Sequence, residues 1–226
     1  MSRAVRTATV AVAALSLASL AGCTTDDSGE VLKVYSGRHY DVALDILNKI
    51  RCVTPTAGGG KDRTKLVLSM HTMRGNRGNY IAAAIREKFA EGCNFRVQFG
   101  LIGYHTKKIL GKRTPRGRIP LRSTGYDFNK DEEVDRYTHQ KYFVIRGNYD
   151  GNPNTNLTFT GSSNWSSLGT GNDEIQFSIQ GEAVARKYLH NFNFMWRPGN
   201  SRNAYTTTYM NFRGHLEPAG RTWEAD

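Results

Sequence analysis

The sequence predicts an α/β fold, a central mixed β-sheet flanked by helices, and three observations predict it. The apolar run Lys65-Leu66-Val67-Leu68-Ser69-Met70 is followed by a helical stripe and then by an alternating segment, which is the order strand, helix, strand. Further on, residues 137–149, 157–160 and 175–179 read as successive strands separated by turn residues. The segment 182–196 then returns to helical spacing. At 226 residues the chain is long enough for one domain with a real core.

The elements in order begin with a leader. Arg3 and Arg6 precede a small, uncharged run from Ala8 to Leu20, the layout of a secretory signal over residues 1–22. That run is short for a membrane span. Leu20-Ala21-Gly22-Cys23 resembles the bacterial lipobox, which implies that Cys23 becomes the acylated first residue of a lipoprotein facing outward from the cell membrane. Plain secretion is the alternative, and both are export. Thr24 to Glu30 are polar and small, so residues 23–34 are assigned to a tether, with folded chain expected near Val31, a domain over 35–197 and a polar tail over 198–226.

Export also decides the other cysteines. A disulfide persists in an oxidising compartment, so Cys52 and Cys93 are expected to pair. No Cys/His cluster has the spacing of a metal site, so neither a metal nor another cofactor is expected.

Val42, Leu44, Ile46, Leu47 and Ile50 suit a helix over 40–53, ended by Thr54-Pro55 and the Gly58-Gly59-Gly60 run. The strand at 65–70 follows. Tyr80, Ile81, Ala84, Ile85 and Phe89 form a helical stripe closed by Gly92, and Phe95, Val97 and Phe99 alternate with polar residues in a strand parallel to the first if the helix is its crossover. The expected disulfide would pin the end of the first helix to the start of that strand. Between His105 and Arg122 lie Lys107, Lys108, Lys112, Arg113, Arg116, Arg118 and Arg122 without a carboxylate, either a solvated loop or a flap that guides polyanions. Asp127, Asp131, Glu132, Glu133 and Asp135 come next and are positioned to fold back on it. Asp150-Gly151-Asn152-Pro153-Asn154 turns one late strand into the next, and Val184, Tyr188, Phe192 and Met195 share a face of the last helix.

The net charge of +11, or +9 without Arg3 and Arg6, favours polyanions: anionic lipid head groups, nucleic acid or acidic cell-wall polymers. Charge does not choose among them.

Chemistry concentrates in one stretch. In a His-x-Lys triplet on a strand both side chains point to the same face, so His139 and Lys141 are neighbours. A cation beside an imidazole suits a phosphodiester, because the ammonium can hold a phosphoryl oxygen while the neutral ring attacks phosphorus. Gly161-Ser162-Ser163-Asn164 follows at a strand exit, where the Ser162 hydroxyl and the Asn164 amide can reach the same phosphate. After Asn172-Asp173, Glu174 is expected to orient His139 and set its tautomer.

These residues, in this order, resemble the phospholipase D superfamily, whose signature runs His-x-Lys, an aspartate, then Gly-Ser-x-Asn. The matches are His139, Lys141, Gly161, Ser162 and Asn164, with Glu174 where the family places its supporting carboxylate. The surrounding residues, about 35 to 197, resemble the C-terminal half of secreted actinobacterial phospholipase D-like proteins. Two features depart from the pattern. Arg146 stands at the signature aspartate, with Asp150 as a possible substitute, and the stretch before Gly161 is longer by eight residues. The family's sites also use two motifs, whereas this chain has one.

The resemblance implies a phosphodiesterase that works through a phosphohistidine on His139, with Lys141, Ser162 and Asn164 on the phosphoryl oxygens and no metal. A single motif implies a homodimer that brings two copies of His139 together. Of the other histidines (His39, His71, His105, His190 and His215), His71 at the end of a predicted strand is the best second imidazole, though a core or surface role is expected for it. A phospholipid head group is the expected substrate because an anchor holds the site near membranes. A metal-independent endonuclease is the alternative within the same chemistry. A noncatalytic lipoprotein that binds phosphate-rich polymers is the alternative outside it.

Overall fold

The computed structural model describes residues 30–36, 42–131, 133–168, 174–206, 209–210, 213 and 215–217. Cys23, the leader, His39 and Asn172-Asp173 lie outside them.

The chain runs β1 (Glu30–Ser36), α1 (Val42–Asn48), β2 (Ile50–Arg51), β3 (Val53–Pro55), β4 (Lys61–Arg63), β5 (Lys65–Arg74), α2 (Gly75–Glu91), β6 (Asn94–Ile102), α3 (Tyr104–Gly111) and β7 (Leu121–Ser123). It continues through β8 (Lys141–Tyr149), β9 (Asn152–Gly161), β10 (Trp165–Ser166), β11 (Ile175–Gln180), α4 (Glu182–Met195), β12 (Arg202–Asn203), β13 (Tyr209–Met210) and β14 (Leu216–Glu217). The main sheet has the order β1-β11-β9-β8-β5-β6-β7-β12, with β10 beside β5 and β2 beside β8. Strands β5, β6 and β7 are parallel, and β8, β9 and β11 are antiparallel. The mixed sheet is as expected.

Alternation along β5 builds both faces. Leu66, Leu68 and Met70 face a core shared with Ile46 and Leu47 of α1, Ile81 and Ile85 of α2 and Leu110 of α3. Val67 faces a smaller cluster with Val144 and with Ala185 and Phe192 of α4. Burying each large aliphatic or aromatic side chain here contributes roughly 1.5 to 3 kcal/mol.

The first helix is shorter than its apolar pattern suggested. It ends at Asn48, and Ile50 and Val53 enter strands, where branched side chains fit a pleated surface. The strand Glu30–Ser36 pairs with β11 from Glu30↔Gln180 to Ser36↔Ile175, so the sheet begins near Val31, where folded chain is expected, and takes in residues 30–34 that were assigned to the tether. The tail also carries order, since Arg202 and Asn203 pair with β7. The basic stretch is part helix and part loop: its first half is α3, where burial holds the Lys107 pKa down to about 8, and its second half is a connection with exposed Lys112, Arg113 and Arg118, in which the Arg116 guanidinium donates to the Phe89 and Cys93 carbonyls. The acidic residues that follow tie their own loop, with Asp127, Asp131 and Asp135 accepting from the backbone N–H groups of Lys130, Glu133 and Phe128.

Cys52 and Cys93 form the expected disulfide. It joins the β2–β3 corner to the entry of β6, at one edge of the sheet. At the other edge, β5 and β6 end, β8 and β11 begin, and β9 ends.

Candidate active site

That second edge collects the motif. Met70 pairs with Lys141, Tyr142 with Thr160, and Gly161 with Gln176, so the ladder sets His-x-Lys beside Gly-Ser-x-Asn and the start of β11. Gly161 is required for this closeness: with φ +155°, any Cβ there would run into the Ile175 carbonyl oxygen.

His139 lies just ahead of β8 and not within it. Thr138 leaves the ladder because its N–H donates to the Thr124 hydroxyl at 3.1 Å and its carbonyl accepts from His71 Nδ1 at 3.1 Å. Gly100 gives this segment room, since a Cβ would stand 2.7 Å from the Thr138 carbonyl oxygen. The expected neighbourhood nevertheless holds. Lys141 Nζ donates to the His139 carbonyl at 3.0 Å and sits 3.3 and 3.4 Å from the two ring nitrogens. His139 is exposed, so a ligand can reach it. Desolvation and then the Lys141 charge lower its pKa, which favours the neutral form of the ring. Desolvation also lowers Lys141, partly countered by the charge of Glu174.

The Gly-Ser-x-Asn loop is clamped from beneath. Arg77, buried in α2, donates to the Asn164 carbonyl at 2.7 Å and the Ser166 carbonyl at 3.3 Å, and Trp165 pairs with Met73 of β5. Asn164 Oδ1 accepts the Thr72 N–H at 3.2 Å, which leaves the amide NH2 to donate. The Ser162 hydroxyl donates to the Glu174 carboxylate and accepts from the Ile175 N–H at 3.1 Å. Glu174 therefore holds Ser162 and not His139, a correction to its expected role.

The group against His139 is His71. Its ring centroid is 4.4 Å from that of His139 at 48°, and Tyr137 stacks on it at 5.1 Å and 19°. A carbonyl can only accept, so His71 Nδ1 carries the proton toward Thr138. Burial brings His71 down to about 4, the Thr138 bond partly opposing it and the His139 and Lys141 charges adding to it. It is neutral at pH 7, and its one ring proton is held by the Thr138 carbonyl. The signal available in sequence was a histidine at the carboxyl end of a parallel strand, where open α/β sheets place ligands.

This histidine also makes a stability prediction. The folded value lies below the ordinary 6.5, so the unfolded chain binds the proton first as pH falls. The contribution is full above pH 6.5 and is lost on the way down to about 4, by roughly 2 to 3 kcal/mol. Urea unfolding between pH 7 and 4 should show this slope in the wild type and a flatter one in His71→Gln; equal slopes would refute the assignment.

Arg146 and Asp150 sit far from the site. Five residues along β8 from Lys141 is roughly 17 Å. There Arg146 donates to Asn156 at 2.8 Å and meets Glu182 at 3.4 Å, and Asp150 occupies the β8–β9 turn with its N–H on the Lys49 carbonyl. Asp150 therefore does not stand in for the signature aspartate. Among the described residues no group of three or more His, Cys, Asp or Glu side chains is placed to hold a metal ion.

No protein-family model matches the chain, and no curated protein matches it. Solved structures are similar to it in fold. One is a phospholipase D family member, Nuc, from Salmonella typhimurium, at 16% identity over 76% of this chain and 97% of that one, TM-score 0.49. NucT from Helicobacter pylori gives 13% identity over 76% and 97%, TM-score 0.46. Polyphosphate kinase from Porphyromonas gingivalis gives 14% identity over 60% of this chain and 19% of that one, TM-score 0.40.

Proposed function

We propose that the protein is a phosphodiesterase of phospholipase D type, with His139 as its nucleophile. The observation that carries this reading is the convergence of His139, Lys141, Ser162 and Asn164 at one end of the strands, although His139 and Asn164 are 25 positions apart in the chain. An imidazole nitrogen of His139 attacks phosphorus and the bond to the leaving oxygen breaks. Lys141 and the Asn164 amide hold the non-bridging oxygens, where negative charge accumulates, and the Ser162 hydroxyl joins them by turning its proton from Glu174 to the phosphate. The leaving oxygen needs a proton, and a water must later lose one to cleave the phosphohistidine. His71, whose ring proton is held by the Thr138 carbonyl, does not supply the first proton. His139 of the second copy does, across a two-fold axis and in its protonated form, which the negative charge of the bound phosphate favours, and it then takes a proton from the water.

Sedimentation measured on the same fractions as hydrolysis of bis(p-nitrophenyl) phosphate tests the pairing. Activity should follow the dimer and be indifferent to EDTA. An active strict monomer would sink the shared site, and an inactive one would favour the polyanion-binding lipoprotein.

For the substrate, a lipid anchor on Cys23 favours a phospholipid head group. A specific observation favours nucleic acid: Tyr126 and Phe128 stack at 5.9 Å, Arg136 lies over both, Arg202 lies over Tyr126, and Phe128 is 63% exposed. Aromatic and arginine faces of this kind are what single-stranded bases stack on. Hydrolysis of phosphatidylcholine vesicles compared with single- and double-stranded DNA in a salt titration separates the two, since binding that neutralises many phosphates weakens steeply with salt.

A further inference from the structure

Between β7 and β8 the chain makes an excursion whose two legs are tied together. The Tyr126 N–H donates to the Arg136 carbonyl at 2.7 Å, the Arg136 N–H donates to the Tyr126 carbonyl at 3.1 Å, and the Thr138 N–H donates to the Thr124 hydroxyl. Side chains alternate along such a leg, so Arg136 and Thr138 point to one side and Tyr137 and His139 to the other. The ring contacts agree. Arg136 lies over Tyr126 and Phe128, whereas Tyr137 stacks on His71 at 5.1 Å and 19°, and the His71 ring is 4.4 Å from that of His139.

Tyr137 and His139 are therefore both ring neighbours of one histidine. His71 is 8% exposed and its Nδ1 is fixed on the Thr138 carbonyl, so it gives the Tyr137 ring a rigid backing. Tyr137 itself is 44% exposed, and among the described residues His71 is the only ring that stacks on it. An isolated exposed aromatic is ordinary on a protein surface. One that is immobilised a single ring away from a nucleophile is a preformed contact surface, because little side-chain freedom is left to lose on binding. A planar, uncharged partner suits it. In a nucleoside phosphodiester the base is one sugar away from phosphorus, much as Tyr137 is one ring away from His139. The charge nearby is positive: Lys141 Nζ is 3.3 Å from a His139 ring nitrogen, its field reaches His71, and the Glu174 carboxylate is taken up by Ser162. A quaternary ammonium, which is otherwise attracted to a tyrosine face, meets that field, and a neutral base does not.

We propose that Tyr137 is a stacking platform for the unpaired nucleobase next to the scissile phosphate, which makes single-stranded oligonucleotides the preferred substrate class. This rests on the phosphodiesterase reading and deepens it. The test compares a thymidine pentanucleotide with a pentamer of the same sugar-phosphate backbone in which hydrogen replaces every base. The wild type, Tyr137→Ala, Tyr137→Phe and, on the other side of the excursion, Phe128→Ala are each measured on both. Stacking of a base on one aromatic side chain contributes about tenfold, so kcat/KM in the wild type should favour the base-bearing pentamer by about that factor or more. The ratio should fall about tenfold in Tyr137→Ala and survive in Tyr137→Phe. If the ring only props His71 and His139, its loss slows both pentamers equally, and that unchanged ratio overturns the platform. So does a base preference lost in Phe128→Ala and kept in Tyr137→Ala, or a Tyr137→Ala defect seen with phosphatidylcholine vesicles and not with the pentanucleotide. In each of these cases the platform falls while the phosphodiesterase reading stands. Should the wild type hydrolyse neither pentamer, calorimetric binding of the two decides. A base preference in binding that depends on Tyr137 keeps the platform and drops the phosphodiesterase reading; no such dependence, or no binding, drops both.

Discussion

His139→Ala should eliminate hydrolysis of bis(p-nitrophenyl) phosphate, with a loss of at least about 10³-fold, because it removes the proposed nucleophile. The side chain is exposed and outside the core, so the melting temperature should stay near that of the wild type. That combination separates lost chemistry from lost folding. Lys141→Met should cost about 10²-fold or more through the missing charge on the phosphoryl oxygen. It should also move the acid limb of the kcat/KM profile. Lys141 helps to hold the His139 pKa down, so its removal lets that pKa rise, and the limb shifts to higher pH. A wild-type rate in His139→Ala, or loss of wild-type turnover in EDTA, would refute the phosphohistidine mechanism.

Replacing Cys52 and Cys93 together with alanine should destabilise the fold by about 4 kcal/mol on the chain-entropy account of a cross-link that closes a loop of this size, the two cysteines being 41 residues apart. Neighbouring bonds at the same corner persist without it: Lys88 Nζ donates to the Ile50 carbonyl at 3.2 Å, and Arg63 donates to the Gly92 carbonyl at 2.8 Å. The bridge is at the sheet edge away from His139. Turnover per folded molecule should therefore stay close to wild type below the unfolding transition, while the urea midpoint drops sharply. An unchanged midpoint in the double variant, or under reducing conditions, would show that the bridge adds nothing to stability.

Much of this architecture was legible in the residues. The period-two and helical patterns from Lys65 to Phe99 announce a strand, a crossover helix and a parallel strand, because those patterns report which local conformation can bury an apolar face. Elements with weaker patterns were misjudged at their ends. The helix after Tyr40 stops at Asn48, and residues 30–34 become a strand, because the partner strand β11 is far away in sequence and supplies hydrogen bonds that no local pattern records. The basic stretch looked like a solvated run because seven cations without a carboxylate satisfy no local pairing rule. Arg116 and Arg122 instead find the carbonyls of Phe89 in α2, of Cys93 just before β6 and of Ser201 just before β12.

The site divides in the same way. His139 and Lys141 are two residues apart, and their proximity follows from the backbone repeat even where the strand has not yet begun. Ser162 and Asn164 carry their chemistry in their side chains and their spacing. The partner of Glu174 and the position of His71 are nonlocal facts. Glu174 faces Ser162 because β11 pairs with β9, and His71 meets His139 because β5 pairs with β8, 68 residues later in the chain. The sequence by itself determined which groups are candidates for chemistry and where the strongly patterned strands and helices lie, since both depend on residue type and short repeats. Strand order and register, which only the folded sheet decides, determined which of those groups touch.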